Sequence, residues 1–195
     1  MIKTGDVIKI KLLNIDVFSF VKYYELNDIN KNYEPSPYIR VFNYFYNTND
    51  SMTLNHLAVS KYFYQPMLIY GIIPTLKNRN WKVIGNLPLN KIDKQVPTFK
   101  RKDIFTEKWG LQIGSNINDV TNCNYKEIEH LERSFYNDYF TIEVRLTILY
   151  YLENNLDFTS KTLNLDEETF NYNYKEVLEI YNALHNKMQS EQSDI

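Results

Sequence analysis

A single cysteine in 195 residues excludes an internal disulfide and any metal site built from cysteines alone. Cys123 lies between Asn122 and Asn124, with no base or cation beside it, and reads as an inert thiol. Glycine is equally scarce. There are five, and none forms a phosphate-cradling loop, since Gly110 and Gly114 are too far apart for that geometry. The three histidines, His56, His130 and His185, are widely separated. Glu127 and His130 have the i, i+3 spacing of a carboxylate-bridged metal site, but such sites need the motif twice and it occurs once. No nucleophile-elbow motif supports a Ser-His-Asp arrangement. The longest apolar runs, residues 67–73 and 148–152, are far too short to span a bilayer. Residues 1–6 lack the basic-then-apolar run of a signal peptide. The expectation is a soluble, cytoplasmic protein with no catalytic residues, no metal and no cofactor.

What is abundant is aromatic surface and unevenly placed charge. The chain has 17 Tyr and 11 Phe. Tyrosine can line a core edge or a recognition surface equally well. The net charge is −2, but the two ends differ. Up to residue 110 there are 16 Lys and Arg against 9 Asp and Glu, and beyond it 6 against 15, giving +7 and −9. Such asymmetry implies polarised surfaces, or two parts that attract each other.

The apolar period changes near residue 115. In the first part, Ile8, Ile10 and Leu12 alternate with Lys9 and Lys11, a strand period. Asn14-Ile15-Asp16 reads as a turn, with residues 17–23 as the partner strand. Further strands are expected over residues 38–46, 68–73, 81–84 and 109–113, and residues 27–37 form a loop carrying Pro35 and Pro37. In the second part, Asn124 followed by Glu127 resembles a capping box. Beyond it Ile128, Leu131, Phe135, Tyr139, Ile142, Leu146 and Leu149 recur at steps of three and four, within a stripe roughly 80° wide on a single helix. A second stripe runs through Tyr174, Val177, Leu178, Tyr181, Leu184 and Met188. The fold expected is α+β: a twisted, largely antiparallel sheet in a β-rich domain of residues 1–115, followed by at least two amphipathic helices in an acidic region of residues 116–195 packed on it.

On that first helix, Glu129, Glu132 and Glu143 fall within a sector of roughly 60° beside the apolar stripe. With the cluster Asp166-Glu167-Glu168 they form a candidate acidic patch for a basic partner. The cluster also suits a helix start, where acidic residues favour the dipole. The basic first part supplies a competing reading, a nucleic-acid module. Its one tight basic cluster is Lys100-Arg101-Lys102, and aromatic side chains lie nearby, as a single-strand binder needs. The pI near 6.0 and the placement of most aromatics in strands weigh against it. An enzyme site assembled from scattered residues is the third reading.

Two segments carry a resemblance. Thr4-Gly5-Asp6-Val7-Ile8-Lys9-Ile10 resembles the opening strand of the immunity protein 26 family, whose members are encoded beside polymorphic toxins used in competition between bacteria. The segment Asn78-Arg79-Asn80-Trp81-Lys82-Val83-Ile84-Gly85-Asn86-Leu87-Pro88-Leu89 is similar to that family's Trp-bearing strand, followed by Gly and a Pro-bearing turn. Val96-Pro97-Thr98-Phe99, followed by Asp103, is similar to what comes next. The resemblance covers roughly residues 3–113. It implies a β-rich domain without enzyme activity that binds a cognate toxin protein and holds it inactive. The same residues have a structural meaning. Trp81 can anchor a core, Gly85 can take a backbone angle closed to other residues, and Pro88 can fix a turn. Gly5, Asp6, Trp81, Gly85 and Pro88 therefore point to the fold, and the acidic residues to a toxin-binding surface.

Overall fold

A computed structural model describes residues 2–47, 52–70 and 81–193, with side chains followed to residue 186. The expected strand alternation starts the fold. Strand β1 (Asp6–Lys11) turns Ile8 and Ile10 to one side and Val7 to the other, and pairs antiparallel with β2 (Val17–Glu25). The turn between them rests on Asn14, whose φ of 56° lies in the left-handed region that Asn tolerates. Leu12 N–H closes it on the carbonyl of Val17 at 2.9 Å.

A short helix α1 (Leu26–Ile29) leads to β3 (Pro37–Asn47), and α2 (Leu54–Val59) leads to β4 (Met67–Leu68). Strand β5 (Trp81–Asn86) completes a five-stranded sheet in the order β4-β3-β2-β1-β5. A second sheet of three strands follows: β6 (Thr98–Lys102), β7 (Trp109–Ile113) and β8 (Val120–Asn122). The strands thus form two sheets where one was expected, and all their pairings are antiparallel. Residues 71–73 of the strand expected over 68–73 lie outside the described residues. So do Asn78, Arg79 and Asn80 of the Trp-bearing segment.

The helical part differs from expectation in one important respect. The stripe from Ile128 to Leu149 is not one helix. A single turn, α3 (Tyr125–Ile128), is capped by the Asn124 side chain, which accepts from Lys126 N–H at 3.2 Å. Residues 129–138 then run as irregular chain between the sheets. Lys100 N–H donates to the Glu132 carbonyl at 2.8 Å, and Ser134 N–H donates to that of Lys100 at 3.0 Å. Asn137 N–H donates to the Leu68 carbonyl at 2.9 Å, and Tyr70 N–H to that of Asn137. Backbone groups that a helix would have satisfied internally are spent stitching β6 to β4. The next helix, α4 (Tyr139–Glu153), begins only where Asp138 caps it, its carboxylate accepting from Thr141 N–H at 2.7 Å.

Helix α4 is buried on all sides from Ile142 to Leu149, Glu143 and Arg145 included, so it is a core helix and not an amphipathic one. A one-turn helix α5 (Ser160–Leu163) precedes the long α6 (Glu167–Ser193). The principal core joins Ile8, Ile10, Val21, Ile39 and Val41 of the sheet to Ile142, Leu146 and Leu149 of α4 and Val177 and Ile180 of α6. The opposite sheet face carries two smaller cores, one under α2 around Phe20, Phe42 and Leu57, and one around Tyr24, Tyr38 and Phe99. Met188, in the second stripe, lies beyond the described side chains.

Candidate protein-binding surface

The acidic residues separate into two classes that their spacing did not distinguish. Glu132 is 1% exposed and Glu143 5%, so neither belongs to a surface patch. Glu143 sits on the inner side of α4, where its carboxylate accepts from the Trp81 indole N–H at 2.7 Å. Glu132 lies in the irregular segment, and the Arg145 guanidinium donates to it at 2.6 Å. On a single helix over residues 128–149 both would face outward. Removing ten residues from that helix changes the angle at which every later side chain emerges.

Four of the expected acids do reach solvent. Glu129 is partly exposed and pairs with Lys126 at 3.3 Å. Asp166, Glu167 and Glu168 are exposed at the start of α6. Asp166 accepts from Thr169 N–H at 2.8 Å, and this bond holds its carboxyl below the ordinary carboxylate range. The Glu167 carboxylate accepts from the Ser160 hydroxyl. This cluster therefore caps its helix and still presents negative charge.

Three further charge pairs lie wholly or partly inside the fold. Lys22 donates to Asp93 at 2.6 Å and to the Pro88 carbonyl at 2.8 Å. Asp93 also accepts from Tyr24 at 2.5 Å, Tyr62 at 2.8 Å and Asn90 N–H at 2.9 Å. Burial opposes ionisation of Asp93, but these donors outweigh it and its pKa is lowered. Lys100 is buried too, donating to Glu179 at 3.0 Å and to the Glu129 carbonyl at 3.1 Å. The basic cluster Lys100-Arg101-Lys102 thus loses its first member to the joint with α6. Arg133 meets Glu176 of the same helix at 2.6 Å. Lys100–Glu179 thus ties α6 to the smaller sheet, Arg133–Glu176 ties it to the irregular segment, and Lys22–Asp93 ties β2 to the loop after β5.

Among the described residues, a part-buried aromatic face and an exposed turn are the apolar features to weigh. On the sheet face under α2, Phe18, Phe20, Tyr44 and Tyr46 pack ring to ring, and the Lys9 ammonium lies 3.7 Å from the Phe18 centroid. Lys9, Phe20, Tyr46, Met52, Leu54 and Ile84 line a cavity of 190 Å³ there. The second is the turn between β6 and β7, where Ile104 is 83% and Phe105 89% exposed. Nothing in the sequence pattern singled out that pair, because strand periodicity is silent about turns. Asp93 was missed as well, since a lone Asp between lysines reads as solvated.

The model of the family described as Immunity protein 26 matches residues 3–111. The chain belongs to the Immunity protein 26 family. No curated protein and no solved structure matches it. The Immunity protein 26 match spans the five-stranded sheet, β6 and most of β7, and the residues that carried the resemblance hold that part together. Gly5 has φ +93°, and a Cβ there would lie 2.8 Å from the Leu87 carbonyl oxygen. Asp6 is buried, accepting from Lys3 N–H at 2.9 Å and the Asn86 amide at 2.9 Å. Trp81 is 4% exposed. Gly85 corrects the expectation of a special backbone angle. Its φ is ordinary, and the constraint is space, since a Cβ would lie 2.2 Å from Leu54 Cδ1. Pro88, expected to fix a turn, lies in irregular chain just before the turn at residues 91–94, and contributes its carbonyl to Lys22. Helices α3 to α6 lie beyond the matched residues.

Proposed function

We propose that this chain is an immunity protein that binds a cognate toxin in the cytoplasm and holds it inactive, acting by occupancy and not by catalysis. Membership of the Immunity protein 26 family over residues 3–111 carries the reading. The physical chemistry of the surface supports it. The buried charges hold the scaffold rigid, and a preformed surface avoids the ordering cost of binding. Glu129, Asp166, Glu167 and Glu168 contribute long-range attraction for a toxin that bears basic groups. Glu132 and Glu143 have no part in it. The nucleic-acid reading has less support, because Lys100 is neutralised inside and the aromatic face is packed under α2.

The experiment uses the toxin encoded by the adjacent gene. The purified chain should inhibit it stoichiometrically. A variant with Glu129→Lys, Glu167→Lys and Glu168→Lys keeps the Asp166 cap in place. It should associate more slowly, with the larger effect at low salt, because screening sets in over about 10 Å at 0.1 M. Each acid alone should contribute little, since an exposed ion pair is worth about 0–1 kcal/mol. Equal on-rates at both salt concentrations would remove these acids from the encounter.

A further inference from the structure

We infer that the turn joining β6 and β7 is the anchor of the complex: Ile104 and Phe105 enter an apolar socket on the toxin, with a carboxylate at its rim opposite Lys108. The inference rests on the immunity reading above and names the contact that reading leaves open. Ile104 and Phe105 are consecutive; Phe105 is the most exposed large apolar side chain described, and only Val59 stands between it and Ile104. Turns usually place Gly, Asn, Asp, Ser or Pro at such a summit. Two large apolar groups there expose surface that a connection alone does not need.

The turn is also built to hold them still. Asp103 N–H donates to the Lys108 carbonyl at 2.9 Å, closing the base. The Asp103 carboxylate accepts from Phe105 N–H at 2.9 Å, Thr106 N–H at 2.7 Å and the Thr106 hydroxyl at 3.0 Å. Glu107 takes φ 58°, which turns the chain back into β7. At the foot of the hairpin, Trp109 packs against the Tyr125 ring at 4.7 Å, with the Arg133 guanidinium 5.6 Å from its own. Binding through Phe105 would therefore order little that is not ordered already, and aromatic side chains in desolvated pockets dominate the energetics of protein interfaces.

Lys102 and Lys108 are both exposed and flank the apolar pair. The Asp103 carboxylate is taken up by the turn's own donors, and Glu107 lies 3.7 Å from Lys102. That leaves Lys108 as the cation no carboxylate of the turn meets, and one carboxylate on the socket's rim opposite it complements this arrangement. A lipid surface fits it less well, since stable attachment needs a cluster of cations or a larger apolar insertion, and one unpaired lysine beside two apolar side chains supplies neither. The exposed acids of α6 act at a distance and set the on-rate, whereas this turn acts on contact and sets the off-rate.

The test uses the full chain with Ile104→Ser and Phe105→Ser together, and Phe105→Leu as the conservative variant. Both side chains are exposed, so the thermal midpoint should stay where it was. Against the toxin of the adjacent gene, the double variant should dissociate at least about 30-fold faster, with its on-rate within about threefold of the original. Phe105→Leu should retain most of the affinity. The original chain should not sediment with vesicles of phosphatidylserine and phosphatidylcholine. An unchanged off-rate in the double variant overturns the anchor and leaves the immunity reading standing. Vesicle binding that the double variant loses makes the turn a membrane contact instead. Failure of the original chain to bind the toxin sinks both readings.

Discussion

Replacing Glu132 by Gln removes one charge from the centre of the molecule and changes little in shape. In the native fold the Arg145 guanidinium donates to Glu132 at 2.6 Å and, through Nε, to the Asn173 amide oxygen at 3.2 Å. Arg145 is fully buried. Burial disfavours its charge, yet the neighbouring Glu132 and Glu176 carboxylates raise its pKa, so it stays protonated. The Gln variant therefore cannot escape by releasing a proton. A buried pair broken on one side costs about 3–5 kcal/mol. With a urea slope of about 2–3 kcal/mol per molar for a chain of this size, the midpoint should fall by about 1–2.5 M. Adding Arg145→Met with Glu132→Leu removes both charges and should recover most of the loss, since an apolar replacement of similar volume is commonly neutral. The assay is urea unfolding followed by far-ultraviolet circular dichroism. Toxin association by the folded variant should be unchanged. A midpoint within about 0.5 M of the original, together with a slower on-rate, would mean that Glu132 faces the partner, and the burial argument would fail.

Two further outcomes follow from the core. Trp81→Ala should cost about 3–5 kcal/mol in urea unfolding through lost packing, while Trp81→Phe, which removes the indole donor to Glu143, should cost about 1.5–3 kcal/mol; an unchanged midpoint in both would deny Trp81 its place in the core. Asp93 has a pKa lowered in the fold, so its stabilising contribution is present above its ordinary value of 3.8 and lost as pH falls through the lower folded value. Asp93→Asn should therefore destabilise at pH 7, with the gap to the original narrowing below about pH 4; a gap that stays constant down to pH 2 would show that the carboxylate is not held ionised.

The sequence by itself determined the local elements whose side chains repeat with a fixed period or whose backbone needs a particular residue. The alternation through Ile8 and Ile10, the Asn14 turn and the Trp109–Ile113 strand are of this kind, and so are the cap at Asn124 and the apolar face of α6. The Trp81-to-Leu89 segment identified the family for a related reason, since its Trp fills the core by its size. Its Gly was legible as a requirement, but the reason came from Leu54, 31 positions away in the chain.

Tertiary structure alone decided what the charges do. Helical spacing placed Ile128 and Leu131 inside, and both are buried. It could not reveal that residues 129–138 give up their helix to hydrogen-bond β4 and β6, because that choice depends on sheet edges far away in sequence. Once the helix broke, Glu132 and Glu143 turned inward, and Lys100 found Glu179. Whether a carboxylate is solvated or buried depends on whether a cation or donor arrives opposite it, and only the folded chain brings Arg145, Trp81 and Lys22 to their partners. Ile104 and Phe105 are the converse case. Their apolar character suggests burial, but the short turn that Asp103 closes gives them nothing to pack against, and so they stand in solvent.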